Sequence, residues 1–118
     1  MADPRIKTLK IKTGVLKRIT KEKTTYIKEV GIEEARYEKL KAGGSDEHVL
    51  KKQQEVIQES QMMVPECHRR IVRAYEDLKS ILESEQDLAG TEDYKLAAQI
   101  VAEAAKEIEN ETGADVGK

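Results

Sequence analysis

The chain has 118 residues, 37% charged and 38% hydrophobic, with no Trp or Phe, four Tyr and two Pro. One domain fits that length, and so few large apolar residues exclude a deep mixed core in favour of long, surface-rich helices. The formal net charge of −2 averages a basic end and an acidic one: residues 1–28 hold nine Lys and Arg against Asp3 and Glu22, and residues 83–118 hold ten Asp and Glu against Lys95, Lys106 and Lys118.

Two such ends can pair with each other or attract different partners. A helix over about 5–41 is predicted to open at Pro4, with Asp3 as its N-cap. Only Gly14 and Gly31 weigh against it, each at a cost of roughly 1 kcal/mol. One seven-residue line on it runs through Leu9, Leu16, Lys23, Val30 and Tyr37. A second carries Ile6, Thr13, Thr20 and Ile27, with Ile19, Tyr26 and Leu40 flanking. The seam is apolar at its ends and polar in its middle. Gly43 and Gly44 can end the helix, and Ser45 or Asp46 can cap the next. So short a loop turns the second helix back antiparallel to the first.

The second helix, about 46–88, has the most regular pattern. Leu50, Ile57, Val64, Ile71 and Leu78 form one line, and Gln53, Ser60, Cys67, Ala74, Ile81 and Leu88 the other. These are a and d positions, which imply coiled-coil-like packing. The pattern stays in phase across Pro65, so a kink is expected there rather than a break. Thr91 is expected to cap a third helix, about 92–111, which repeats Tyr94, Val101 and Ile108 with alanines between them. Residues 113–118 have neither period nor apolar content and are expected to form a disordered tail. The fold class that follows is all-α: an elongated three-helix, up-down-up bundle over residues 1–112. Its first two helices would each be about 60 Å long, at ~1.5 Å per residue. The shorter third helix would leave part of the hairpin uncovered.

Chemistry has little to work with. No glycine-rich phosphate loop is present, because Gly43-Gly44 lacks both the following Lys-Ser/Thr and the preceding strand. Cys67 and His68 are neighbours that point in different directions on a helix, with His48 five turns away, so no metal site is expected. Cys67 lies on the buried line, where it serves as a small apolar residue. No catalytic residue and no cofactor are expected. Nucleic-acid binding fits poorly, since the lysines are spread around the first helix without interleaved aromatics. No stretch approaches the ~20 apolar residues of a membrane span. The segment Met1–Arg5 lacks a signal-peptide core, and one cysteine needs no oxidising compartment. The cytosol is therefore expected. Heptads alone favour a coiled-coil scaffold or oligomerisation module. One residue stands against that: with Val64 inward, Met62 points almost directly outward at ~100° per residue. Glu59, Glu66, Arg69, Arg70 and Arg73 share its outer half and Met63 lies on the flank, an arrangement that reads as a contact surface.

The run Gln58-Glu59-Ser60-Gln61-Met62-Met63-Val64-Pro65-Glu66-Cys67-His68-Arg69-Arg70 resembles the central segment of the tubulin-binding cofactor A family. The family's N-terminal pattern is matched by Leu9 to Gly14, Lys17-Arg18, Lys21-Glu22, Tyr26 and Lys28-Glu29. Asp77-Leu78 and Leu82-Glu83 extend the match to about residue 90. Gln61 stands where the family commonly has Arg. The resemblance implies a cytoplasmic, cytoskeleton-associated chaperone that captures quasi-native β-tubulin and holds it for assembly of the α/β heterodimer. It further implies that the chain works as a monomer with the other tubulin-folding cofactors. It implies no nucleotide, metal or catalysis. On this reading Met62, Met63, Glu59, Glu66, Arg69, Arg70 and Arg73 form the contact, while Lys10, Lys12, Lys17, Arg18 and Lys21 steer an acidic partner.

Overall fold

The structure, a computed structural model, describes residues 3–116, with side chains through residue 109. It is built of α1 (Pro4–Ala42), α2 (Glu47–Ser84) and α3 (Glu92–Val116), with a 3-10 turn at Gln86–Leu88. No strand occurs among the described residues.

Asp3 and Thr91 cap the helices they were expected to cap, and of Ser45 and Asp46 it is Asp46 that caps the second. The Asp3 carboxylate accepts the Arg5 amide at 2.9 Å, Asp46 accepts the Val49 amide at 3.0 Å, and the Thr91 hydroxyl accepts the Tyr94 amide at 3.2 Å. These satisfy amides that have no intrahelical partner. α1 is closed off by Gly44, two residues past its last, which takes a left-handed φ of 78°. Ser45 N–H then reaches back to the Leu40 carbonyl at 3.0 Å and Gly44 N–H to Lys41 at 3.2 Å, the paired bonds of a Schellman motif.

Two boundaries differ from the sequence reading. α2 ends at Ser84, not near 88, because Glu85 leaves helical geometry at φ −115°, ψ 43°. The 3-10 turn that follows still delivers Leu88 to the interior, 7% exposed. α3 continues to Val116, past the expected end at 111, so 113–116 are helical rather than a tail. Residues 117 and 118 lie outside the described residues. α2 runs through Pro65 as one helix.

The chain divides into two compact units, Met1–Thr20 with His68–Lys118, and Lys21–Cys67. In the first, Leu9, Leu16 and Ile19 of α1, Ile71, Leu78 and Leu82 of α2, and Ala97, Ile100 and Ala104 of α3 form the core. Lys10 of α1 meets Asp93 of α3, Lys12 meets Asp77 of α2, and Arg5 meets Glu85 just past the end of α2. α1 is therefore antiparallel to α2. The inner line of α3 is Ala97–Ile100–Ala104, while Tyr94, Val101 and Ile108, expected to lead it, pack half-buried beside it. Alanines at the centre allow close approach, and the larger side chains fill the flanks. Tyr94 gains a second role there: its hydroxyl donates at 2.7 Å to the Leu82 carbonyl, at the end of α2.

The second unit is a hairpin of α1 and α2 alone, and polar residues hold much of it. Lys23, Gln53 and Cys67 are its buried residues. The Gln53 amide donates to the Glu33 carbonyl at 2.9 Å and to the Glu33 carboxylate at 2.7 Å, and Arg36 donates to that carboxylate at 3.1 Å. The partners 33 with 53 and 37 with 54 again run antiparallel. Leu50, Ile57 and Val64 are half-buried as their line requires. Ile27, expected on the seam, is 48% exposed. A straight helix drifts from a strict heptad by ~20° per repeat, which turns such a position off the seam.

Candidate functional site

Cys67 is fully buried, so its thiol meets no solvent. Among the described residues no group of three His, Cys, Asp or Glu side chains converges on a point where a metal could sit. None of the helices is long and apolar enough to cross a membrane. What the surface does offer is a set of apolar side chains framed by charge.

In the second unit Met62 is 70% exposed, the most exposed large apolar side chain. Ile57 and Val64, half-buried, take the inward line of α2 and leave Met62 exposed off it. Met63, half-buried, lies beside it. The two methionines, Glu59, Ser60 and Tyr26 of α1 enclose a shallow depression of about 430 Å³. Tyr26 supplies the aromatic wall that sequence reasoning left as a flanking residue. Glu66 is exposed on the same helix.

In the first unit Arg69, Arg70 and Arg73 are exposed on α2. Arg70 and Arg73 form one lip of an open groove of about 530 Å³, with Ala74 and Asp77 of α2 and Ile11, Lys12, Val15 and Ile19 of α1. Arg69 does not line it. Ile11 and Val15 were missed as surface features. The available signal was a row of branched residues at i and i+4, off the core line, on an otherwise lysine-rich helix.

The expected steering lysines separate into two groups. Lys10 lies 3.8 Å from Asp93, and Lys12 pairs with Asp77. Arg5 donates to Glu85 at 2.7 Å and to Asp87 at 3.0 Å, and folds back on Asp3. Those hydrogen bonds from Arg5 hold the Asp3 carboxyl below its ordinary value, and they raise the Arg5 guanidinium in turn. The basic N-terminus and the acidic later segments thus pair with each other in part. Lys17, Arg18 and Lys21 are exposed. No carboxylate among the described residues pairs with them.

The chain as a whole is similar to known proteins. The family model described as tubulin binding cofactor A matches residues 4–101. A tubulin-specific chaperone A of Rattus norvegicus is 52% identical over 106 residues, covering 90% of this chain and 97% of that protein. Among solved structures, tubulin folding cofactor A of Arabidopsis thaliana superposes with a TM-score of 0.79 at 40% identity, over 87% of this chain and 97% of that one. A β-tubulin binding post-chaperonin cofactor superposes with a TM-score of 0.75 at 35% identity, over 86% and 98%.

Proposed function

Since the chain belongs to the tubulin binding cofactor A family, we propose that it is a tubulin-folding chaperone whose client is β-tubulin. It captures a quasi-native β-tubulin chain and shields a surface that α-tubulin later covers, acting in the cytoplasm alongside other tubulin-folding cofactors. The observation that carries this reading is the 52% identity across nearly the whole of a tubulin-specific chaperone. The name of the structural neighbour, a β-tubulin binding cofactor, points to the β chain. No step of the work is catalytic: the protein holds its client by contact, as a monomer, and needs no nucleotide or metal.

The contact surface follows from exposure and residue type. Met62 and Met63 beside Tyr26 supply adaptable apolar area, and Glu59 and Glu66 border it. Arg69, Arg70 and Arg73 add forked cations of the kind enriched at interfaces. Lys17, Arg18 and Lys21 are assigned to steering, while Lys10 and Lys12 spend most of their charge on Asp93 and Asp77.

The test is light scattering of the purified chain on gel filtration, alone and mixed with folded β-tubulin released from a chaperonin reaction. A monomer that forms a one-to-one complex with β-tubulin and ignores α-tubulin is the expected result. A stable self-assembled oligomer without a tubulin complex would leave a coiled-coil scaffold as the better account.

A further inference from the structure

Two sulfur side chains lie close together in the sequence of α2 and meet opposite environments. Cys67 is 0% exposed, whereas Met62 is 70% exposed. A thiol open to water is oxidised by peroxides through its thiolate, and one buried in the structure is inert. Burial of Cys67 therefore removes the more reactive sulfur and leaves a thioether to meet the oxidant first. Of the three methionines in the chain, Met1 lies outside the described residues and Met63 is half-buried. Met62 stands off the inward line of α2 and takes no part in the core cluster.

Oxidation there changes the fold little and the surface much. Met62 and Met63 line the depression shared with Tyr26, Glu59 and Ser60, and as a thioether Met62 gives it a soft apolar wall. A hydroperoxide converts that thioether to a sulfoxide. The sulfur lone pair attacks one peroxide oxygen, the O–O bond breaks, and the other oxygen leaves as hydroxide, which takes up the remaining proton as water. The sulfur is oxidised by two electrons and the peroxide reduced by two. The product is polar and carries an acceptor oxygen beside Glu59, itself an acceptor. An apolar client side chain seated there would bury that oxygen unpaired. Two electrons from a dithiol, passed through methionine sulfoxide reductases, restore the thioether and release the oxygen as water. We propose that Met62 is a reversible oxidation site whose sulfoxide releases the client while the helices stay folded. The release rests on the tubulin-chaperone reading; the site is read from the exposure of the sulfurs.

The experiment oxidises the full chain with hydrogen peroxide, removes the peroxide with catalase, and only then adds β-tubulin. The untreated chain is measured first. If it forms no complex, the chaperone reading is overturned and the release falls with it, whereas oxygen mapping still decides the site. Residues 53–69 form one tryptic peptide that carries Met62, Met63 and Cys67, so fragment masses place each added oxygen. Met62 is expected to gain its oxygen several-fold faster than Met63, with Cys67 unchanged until urea unfolds the chain. The Met62 sulfoxide is expected to bind β-tubulin about tenfold more weakly, with helicity by circular dichroism unchanged. Treatment with the reductases and a dithiol should restore the affinity. Met62→Leu, compared with itself before and after peroxide, should show no loss. First oxidation at Cys67 or Met63 overturns the site. Unchanged affinity of the sulfoxide, a loss that the reductases do not reverse, a loss that persists in Met62→Leu, or a fall in helicity overturns the release and leaves the chaperone reading intact.

Discussion

Met62 was legible from the sequence because a heptad fixes what faces outward as firmly as what faces inward. With Ile57 and Val64 turned toward α1, its 70% exposure follows. An exposed thioether ringed by charged side chains contributes little to the fold, so its substitution separates binding from stability. Met62→Asp is expected to weaken β-tubulin binding about tenfold while Met62→Leu keeps most of it, with both thermal midpoints near that of the parent. Equal affinity of the Asp variant would remove Met62 from the contact. Asp3 gives a prediction of the opposite kind, about stability and not binding. Its carboxyl is held below the ordinary value of 3.8, first by the Arg5 side chain and then by the Arg5 amide. A depressed folded value means that the unfolded chain takes up the proton more readily. The contribution is therefore complete above about pH 3.8 and fades as pH falls through the lower folded value. Urea midpoints should show Asp3→Asn less stable than the parent at neutral pH, with the gap closing in acid. A gap that is the same at both pH values would mean that the cap, and not the charge, carries the effect. This clamp was only partly legible: Asp3 as a cap could be read locally, whereas its link through Arg5 to Glu85 and Asp87 spans some eighty positions and depends on where α2 stops.

At the scale of elements, the sequence spoke most clearly through glycines and caps, and the same substitution should have opposite signs at two of them. Gly44 sits at φ 78°, where a Cβ costs roughly 1–2 kcal/mol. Gly31 lies inside α1, and a Cβ there would meet nothing within 4 Å. Gly31→Ala is expected to stabilise by up to about 1 kcal/mol through helix propensity, and Gly44→Ala to destabilise by about that much or more. Thermal melts of the two variants decide it, and a shift of the same sign in both would refute the assignment of the turn. The ends of α2 and α3 were harder to read because nothing near them forbids helix. Glu85 is a good helix former, so the departure at Ser84 reflects tertiary geometry: a 3-10 turn puts Leu88 inside, and the Tyr94 hydroxyl takes up the Leu82 carbonyl. The groove was missed for a related reason. A periodicity reading sorts residues into one buried face and one solvated face, and gives no part to an apolar side chain such as Ile11 that stands on the solvated one.

The molecule as a whole distributes its stability unevenly, and its function with it. All nine residues of the apolar core cluster belong to the first unit, while the second relies on Lys23, Gln53, Cys67 and half-buried side chains. Amides of Lys21–Cys67 are therefore expected to exchange with solvent by local opening faster than those around Leu78; uniform protection along α2 would contradict that hierarchy. Charge is divided just as unevenly. Arg5, Lys10 and Lys12 already face carboxylates of the same unit, so their fields are largely spent at short range. Lys17, Arg18 and Lys21 stand exposed on consecutive turns of α1 and are left to act on an approaching client. Steering of that kind raises the association rate more than it slows dissociation. It weakens as added salt shortens the screening length from ~30 Å at 0.01 M to ~8 Å at physiological strength. Stopped-flow association with β-tubulin should slow several-fold across that range for the parent chain. The triple change Lys17→Glu, Arg18→Glu and Lys21→Glu should start slower, show a flat or inverted salt response, and keep a dissociation rate within about twofold of the parent. An association rate of the parent chain that ignores salt would rule steering out and leave the binding surface to apolar contact and to the arginines of α2.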